Sequence, residues 1–163
     1  MAVEVVPDQA PMRGQVLPQL RAVLPRILAG RPVLAAYLYG SVAEGYARPD
    51  SDVDVALVLT ADHGLSPYQR MLMELSIAAE IEDRCDLAEV DVRSINDAPL
   101  VVQGTMMTEC IRVYERDEAA RADYEVLTRK RYFDFLPVVK MMRQAYLENM
   151  SVDLRSKGLL TDD

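Results

Sequence analysis

The 163 residues are 50% hydrophobic and 27% charged, a balance that gives one ordinary globular domain and excludes a disordered or fibrous chain. A formal net charge of −8 gives a surface that repels a phosphate backbone, so long DNA or RNA is excluded as an expected partner. No stretch reaches the roughly 20 apolar residues of a membrane span, and the opening MAVEVVPDQAPMRG has neither the basic start nor the apolar run of a signal peptide. The two cysteines, Cys85 and Cys110, lack metal-ligand spacing and read as packing thiols of a cytoplasmic protein.

In chain order, residues 14–29 (GQVLPQLRAVLPRILA) repeat apolar positions at helical spacing. Pro18 and Pro25 predict a late start and a kink, and Gly30 a stop. PVLAAYLY (32–39) is an apolar run of strand length, and DVDVALVL (52–59) is a second. The segment between them is rich in turn residues, with Gly40, Gly45, Pro49 and Asp50. Ser66 and Pro67 then predict the cap and first turn of a helix over 67–84. CDLAEVDVRSI (85–95) reads as a third strand, 99–108 as a short helix and CIRVY (110–114) as a brief strand. A long helical pattern covers 118–150, with Pro137 expected to kink or split it, and 151–163 reads as a loose tail. The expectation is a single domain over 1–163: an α/β core at about 14–115, a small mixed sheet with flanking helices, then a helical C-terminal segment.

The strand at 52–59 has an unusual entrance. Side chains at i and i+2 share a strand face, so Asp52 and Asp54 project together while Val53 and Val55 point into the core. Two carboxylates about 6–7 Å apart on one face repel unless a cation sits between them. An all-oxygen donor set suits Mg²⁺, with Mn²⁺ as the other candidate, and such an ion completes its shell with substrate phosphates. Just upstream, Gly40 permits a tight turn after the first strand, and Ser41 offers a hydroxyl and an N–H to phosphate oxygens. A short helix opening at SVAEG would point its free N–H groups the same way. The Asp50-x-Asp52-x-Asp54 run is not a calcium loop, because that loop needs Gly and Glu where this chain has Val55 and Ala61.

Gly40-Ser41, ten residues, then Asp52-x-Asp54 resembles the signature of the nucleotidyltransferase fold of the polymerase-beta superfamily. In length and element order the chain is similar to the minimal nucleotidyltransferases, in particular the antitoxins of HEPN/MNT toxin–antitoxin pairs. The resemblance implies that Gly40 and Ser41 hold the terminal phosphates of ATP and that Asp52 and Asp54 bind two Mg²⁺ ions. It also implies a third carboxylate on the later strand. Asp91 is the match, with Glu89 on the same strand face as the alternative. Ser51 is a candidate for the nucleotide as well as for a turn cap. The implied activity is transfer of AMP from ATP to a tyrosine hydroxyl of a HEPN ribonuclease toxin, with a hetero-oligomer of the two. A binding-only antitoxin of the same fold, or a nucleotidyltransferase acting on a small molecule such as an aminoglycoside, are the alternatives.

Other positions read as structural. His63 lies in a polar turn and is a surface residue. Met71, Met73, Met106, Met107, Met141 and Met142 fall on helical patterns and are expected to pack. Glu44, Tyr46 and Arg48 are solvated loop positions by default. Arg129-Lys130-Arg131 reads as a solvated helix face beside Tyr132, Phe133, Phe135 and Leu136.

Overall fold

The two apolar runs read as strands from the sequence are strands, and they pair with each other, each placing small and branched side chains on both faces of a buried ribbon. The computed structural model describes residues 10–45, 47 and 51–159; Tyr46, Arg48 and Asp50 lie outside the described residues. The elements are α1 (Ala10–Ile27), β1 (Val33–Tyr39), α2 (Gly40–Glu44), β2 (Val53–Leu59), α3 (Pro67–Cys85), β3 (Val90–Ser94), α4 (Leu100–Glu109), β4 (Ile111–Glu115) and α5 (Glu118–Ser156). The sheet order is β3-β2-β1-β4. β1 runs antiparallel to both β2 and β4, and β2 runs parallel to β3, so the sheet is mixed.

The two sheet faces bury different cores. On one, Ala36, Leu38, Val55, Leu57 and Val92 meet Leu20 and Leu24 of α1 and Ile77 and Ile81 of α3. On the other, Ala35, Tyr37, Ala56 and Val58 meet Met107 of α4 and Tyr124 of α5. Strand alternation then places Tyr39, Asp54 and Asp91 on the second face, beyond the end of its apolar patch. The sequence's strand entrance is therefore a row at one edge of the α4 side of the sheet.

α1 begins four residues before the predicted start and contains both Pro18 and Pro25. Its buried stripe of Val16, Leu20, Leu24 and Ile27 holds the helix where local propensity alone predicts a later start. α3 carries the predicted cap: the Ser66 side chain accepts from the Gln69 N–H and the Gln69 side chain accepts from the Ser66 N–H. α5 is one helix through Pro137 and reaches Ser156, six residues past the predicted end, so 151–156 is helical rather than loose.

Side chains pin the first half of α5 to the body. Tyr37 Oη donates to Glu125 at 2.8 Å, Arg121 pairs with Glu115 at 2.8 Å and Glu125 at 3.1 Å, and Arg129 donates to the Met107 carbonyl at 2.9 Å. Gly104 of α4 lies against Tyr132; an added Cβ there would stand 2.1 Å from Tyr132 Cγ. Glycine is required at this close helix crossing. Beyond it, Phe133, Phe135, Met141, Met142, Tyr146 and Met150 are exposed. The expected packing of Met141 and Met142 is thus not found, because α5 outruns the body it packs on; Met71 is likewise exposed on α3. No helix among the described residues is long and apolar enough to cross a membrane.

Candidate functional site

The site is built by strand register. Tyr39 pairs with Asp54 across β1 and β2, and Asp54 pairs with Asp91 across β2 and β3. Paired residues on neighbouring strands lie about 5 Å apart and share a face, so Tyr39, Asp54 and Asp91 form one row across the sheet. Asp54 and Asp91 are half-buried and Asp52 is exposed at the strand entrance. The Val53 N–H donates to the Glu89 carbonyl at 3.0 Å, which sets Asp52 and Glu89 next to each other at the strand entrance. The two acidic candidates on β3 are therefore sorted by register: Asp91 stands beside Asp54, and Glu89 beside Asp52.

Electrostatics follows from this crowding. Burial, then the carboxylates of Asp91 and Asp52, push Asp54 above the usual carboxylate range. Asp52 beside Glu89 pushes Glu89 up as well. Burial and the charges of Asp54 and Asp91 push the Tyr39 phenol up to about 12. Arg93, two residues after Asp91, partly offsets the negative field through a 3.2 Å contact from Nε to Asp91 Oδ1.

Gly40 closes the row from the other side. It has φ +74°, and a Cβ on it would stand 2.4 Å from Asp54 Oδ2. Only a residue without a side chain allows the turn after β1 to approach that carboxylate. Ser41 follows on α2, whose single turn ends at Gly45 with its N–H donating to the Ser41 carbonyl. Val42 and Ala43 are buried, which fixes this turn to the core. Ser51 is half-buried one residue before Asp52.

The donor set fits a divalent cation that shares its shell with a substrate. Among the described residues no three carboxylate, imidazole or thiol groups converge to hold a metal unaided. Asp54 and Asp91 nevertheless place two oxygen-bearing groups side by side, and Arg93 offsets only the Asp91 side of their negative field. Mg²⁺ is bound in this manner, through one or two carboxylates with the remaining positions left to water and phosphate.

Of the residues predicted from sequence, Gly40, Asp54 and Asp91 are brought together, Asp52 lies at the mouth with Glu89, and Ser41 and Ser51 flank the two turns. Tyr39 and Arg93 were missed. Tyr39 reads as one more apolar residue of a strand, and Arg93 as a surface charge; their i+2 or cross-strand relation to the aspartates is the signal that marks them. His63 stays structural, its Nδ1 accepting from the Leu65 N–H at 3.0 Å.

Comparison with protein-family profiles matches residues 24–119 to Polymerase beta, Nucleotidyltransferase. Comparison with curated protein sequences gives no match. Among solved structures, a chain of a toxin–antitoxin crystal structure with AMP-PNP superimposes with a TM-score of 0.60 at 19% identity, over 80% of this chain and 98% of that one. A chain of the tri-AMPylated HEPN toxin in complex with MNT antitoxin from Shewanella oneidensis gives 0.57 at 18% identity, over 83% and 98%. A chain of the toxin–antitoxin MntA-HepT gives 0.55 at 17% identity, over 81% and 97%. At these identities the likeness is one of fold. The family match spans more than half of the chain, from the end of α1 to the start of α5, and encloses the glycine turn and all three strand carboxylates: the chain belongs to the polymerase beta nucleotidyltransferase family.

Proposed function

We propose that this nucleotidyltransferase transfers AMP from ATP to a tyrosine hydroxyl of a HEPN toxin and so acts as its antitoxin. The observation that carries the reading is the approach of Gly40 to Asp54, which sets a phosphate-holding turn against a row of carboxylates. The likeness to complexes of toxin and antitoxin, one with AMP-PNP and one with an AMPylated toxin, supports the choice of donor and acceptor. The charge of −8 favours a protein acceptor over a nucleic acid. ATP as donor places the reaction in the cytoplasm.

Asp52, Asp54 and Asp91 are the groups that would hold Mg²⁺, with Mn²⁺ as a substitute. Bound there, the ion supplies charge neutralisation for the triphosphate and for the departing pyrophosphate. The Ser41 hydroxyl and the backbone after Gly40 donate to the terminal phosphates, and Ser51, one residue before Asp52, is the further candidate for the nucleotide. Asp91 accepts the proton of the tyrosine hydroxyl as its oxygen bonds to the α-phosphorus and the bond to pyrophosphate breaks. Most of the acceleration comes from positioning and from fixed charges.

The partner reading has its own support in α5. Thr128, Tyr132, Phe135, Val139, Met142, Tyr146 and Met150 recur at spacings of three and four, so the stripe that packs on the body continues into solvent, where Met142 and Tyr146 are 62% and 66% exposed. A stripe of this kind fits a helical partner. Incubating the chain with ATP, Mg²⁺ and the HEPN protein encoded beside it adds AMP to tyrosine of that protein, read by intact mass and fragmentation. An unchanged partner mass with full binding of the two proteins leaves the binding-only reading, and modification of an aminoglycoside in its place leaves the small-molecule one.

A further inference from the structure

A groove of about 340 Å³ opens directly beside Gly40, at the lower end of the roughly 300–1,000 Å³ usual for small-molecule sites. Tyr39 and Gly40 form its floor, and the open face of α4 forms its wall through Val101, Val102, Thr105 and Met106. These four recur at helical spacing on the side of α4 away from Gly104 and Met107, which pack inward. On this face Val102 is 42% exposed, whereas Met106 also packs against the sheet.

Its chemistry is specific. The described lining is apolar apart from the Tyr39 and Thr105 hydroxyls and two carboxylates, Glu44 at the end of α2 and Glu109 at the end of α4. Among the described residues no basic side chain lines it, which disfavours a phosphate there. A flat aromatic ring with an amino donor suits it, since ionised carboxylates only accept hydrogen bonds and apolar walls bury ring faces. Tyr39 belongs both to this floor and to the Asp54–Asp91 row, so groove and row are one continuous surface.

Sidedness decides which ring enters. The proposed proton acceptor Asp91 is on β3, whereas the groove floor begins at Tyr39 of β1, with Asp54 of β2 between them. An acceptor hydroxyl at Asp91 therefore approaches from the β3 side, which leaves the groove to the nucleoside end of the donor. Resting on the nucleotidyltransferase reading above, we infer that the groove beside Gly40 is the base subsite, taking an amino-bearing purine between Tyr39 and the Val101–Met106 face, with Glu44 or Glu109 accepting from its amino group.

The test compares ATP with inorganic tripolyphosphate, each with Mg²⁺, by calorimetry. Thr105→Trp fills the groove and is expected to weaken ATP at least tenfold while leaving tripolyphosphate unchanged. As a second variant that adds no bulk, Glu44→Gln with Glu109→Gln is expected to erase a roughly tenfold preference of the native protein for ATP over purine riboside triphosphate, which lacks the amino group. Unchanged ATP affinity in Thr105→Trp overturns the inference, and a raised KM for the acceptor in that variant reassigns the groove to the acceptor. Equal weakening of both ligands also overturns it. A native protein that binds neither ligand overturns the nucleotide reading itself, whereas one that binds both equally well with no effect of the groove variants overturns the base subsite alone.

Discussion

Replacing Gly40 by alanine separates a cost to the fold from a cost to the site. The backbone there has φ +74°, a conformation that costs an alanine about 1–2 kcal/mol. For a chain of this length that lowers Tm by about 2–8 °C. The new Cβ also stands 2.4 Å from Asp54 Oδ2, where ordinary contact begins at 3.4 Å, so the carboxylate must retreat by about 1 Å. A carboxylate end is free to rotate, so the fold loses little more. A displacement of that size in a reacting constellation costs on the order of 10²-fold in rate. Gly30 supplies the control: it has φ +75° and nothing within 4 Å of an added Cβ. Gly30→Ala therefore carries the same backbone cost without touching the site. Thermal melts and initial rates of AMP transfer, measured on both variants, are expected to show similar losses of Tm and a loss of rate confined to Gly40→Ala. Activity of Gly40→Ala within threefold of native, or equal inactivation by Gly30→Ala, refutes the proposed role of the glycine–carboxylate approach.

Asp54→Asn is expected to raise Tm while lowering transfer at least about 10³-fold. Burial and the neighbouring carboxylates raise Asp54 in the folded state, so its contribution to stability is present below the unfolded-state pKa and is lost as pH rises through the folded one; at neutral pH the charge opposes folding, and melts of the variant against pH check the sign. Asp91→Asn is expected to lose transfer by a similar factor and Glu89→Gln by less than about tenfold, because register puts Asp91 and not Glu89 beside Asp54; the reverse ranking in a rate comparison moves the third carboxylate to Glu89. Gly104→Ala forces a Cβ against the root of the Tyr132 ring, which cannot swing away as a chain end does, and is expected to cost about 1–3 kcal/mol in denaturant titration. Met142→Asp with Tyr146→Asp is expected to leave the melt of the isolated chain unchanged and to abolish co-elution with the proposed HEPN partner in size-exclusion chromatography.

The elements that were legible in the sequence are those whose local pattern and tertiary environment agree. β1 and β2 are apolar on both faces because both faces of the sheet are covered, and α3 carries its cap in Ser66, Pro67 and Gln69. Local rules misplace the ends of α1 and α5, where prolines signal an interruption that packing or helix length overrides. Within the site, Asp52 and Asp54 are legible as an i, i+2 pair, whereas the choice between Asp91 and Glu89 depends on how β3 slides against β2. Register is a property of two strands and cannot be read from one. For the same reason Tyr39 and the open face of α4 escaped notice, since each becomes part of a site only when β1, β2 and α4 are brought together.

Calorimetric titration of the native chain with Mg²⁺ and the analogue AMP-PNP tests the central claim most directly. Saturable uptake with one nucleotide per chain, lost in chelator and in the Asp52→Asn, Asp54→Asn variant, is the result expected from a carboxylate row facing the Gly40 turn. Uptake of the same strength without the metal, or in that variant, contradicts it.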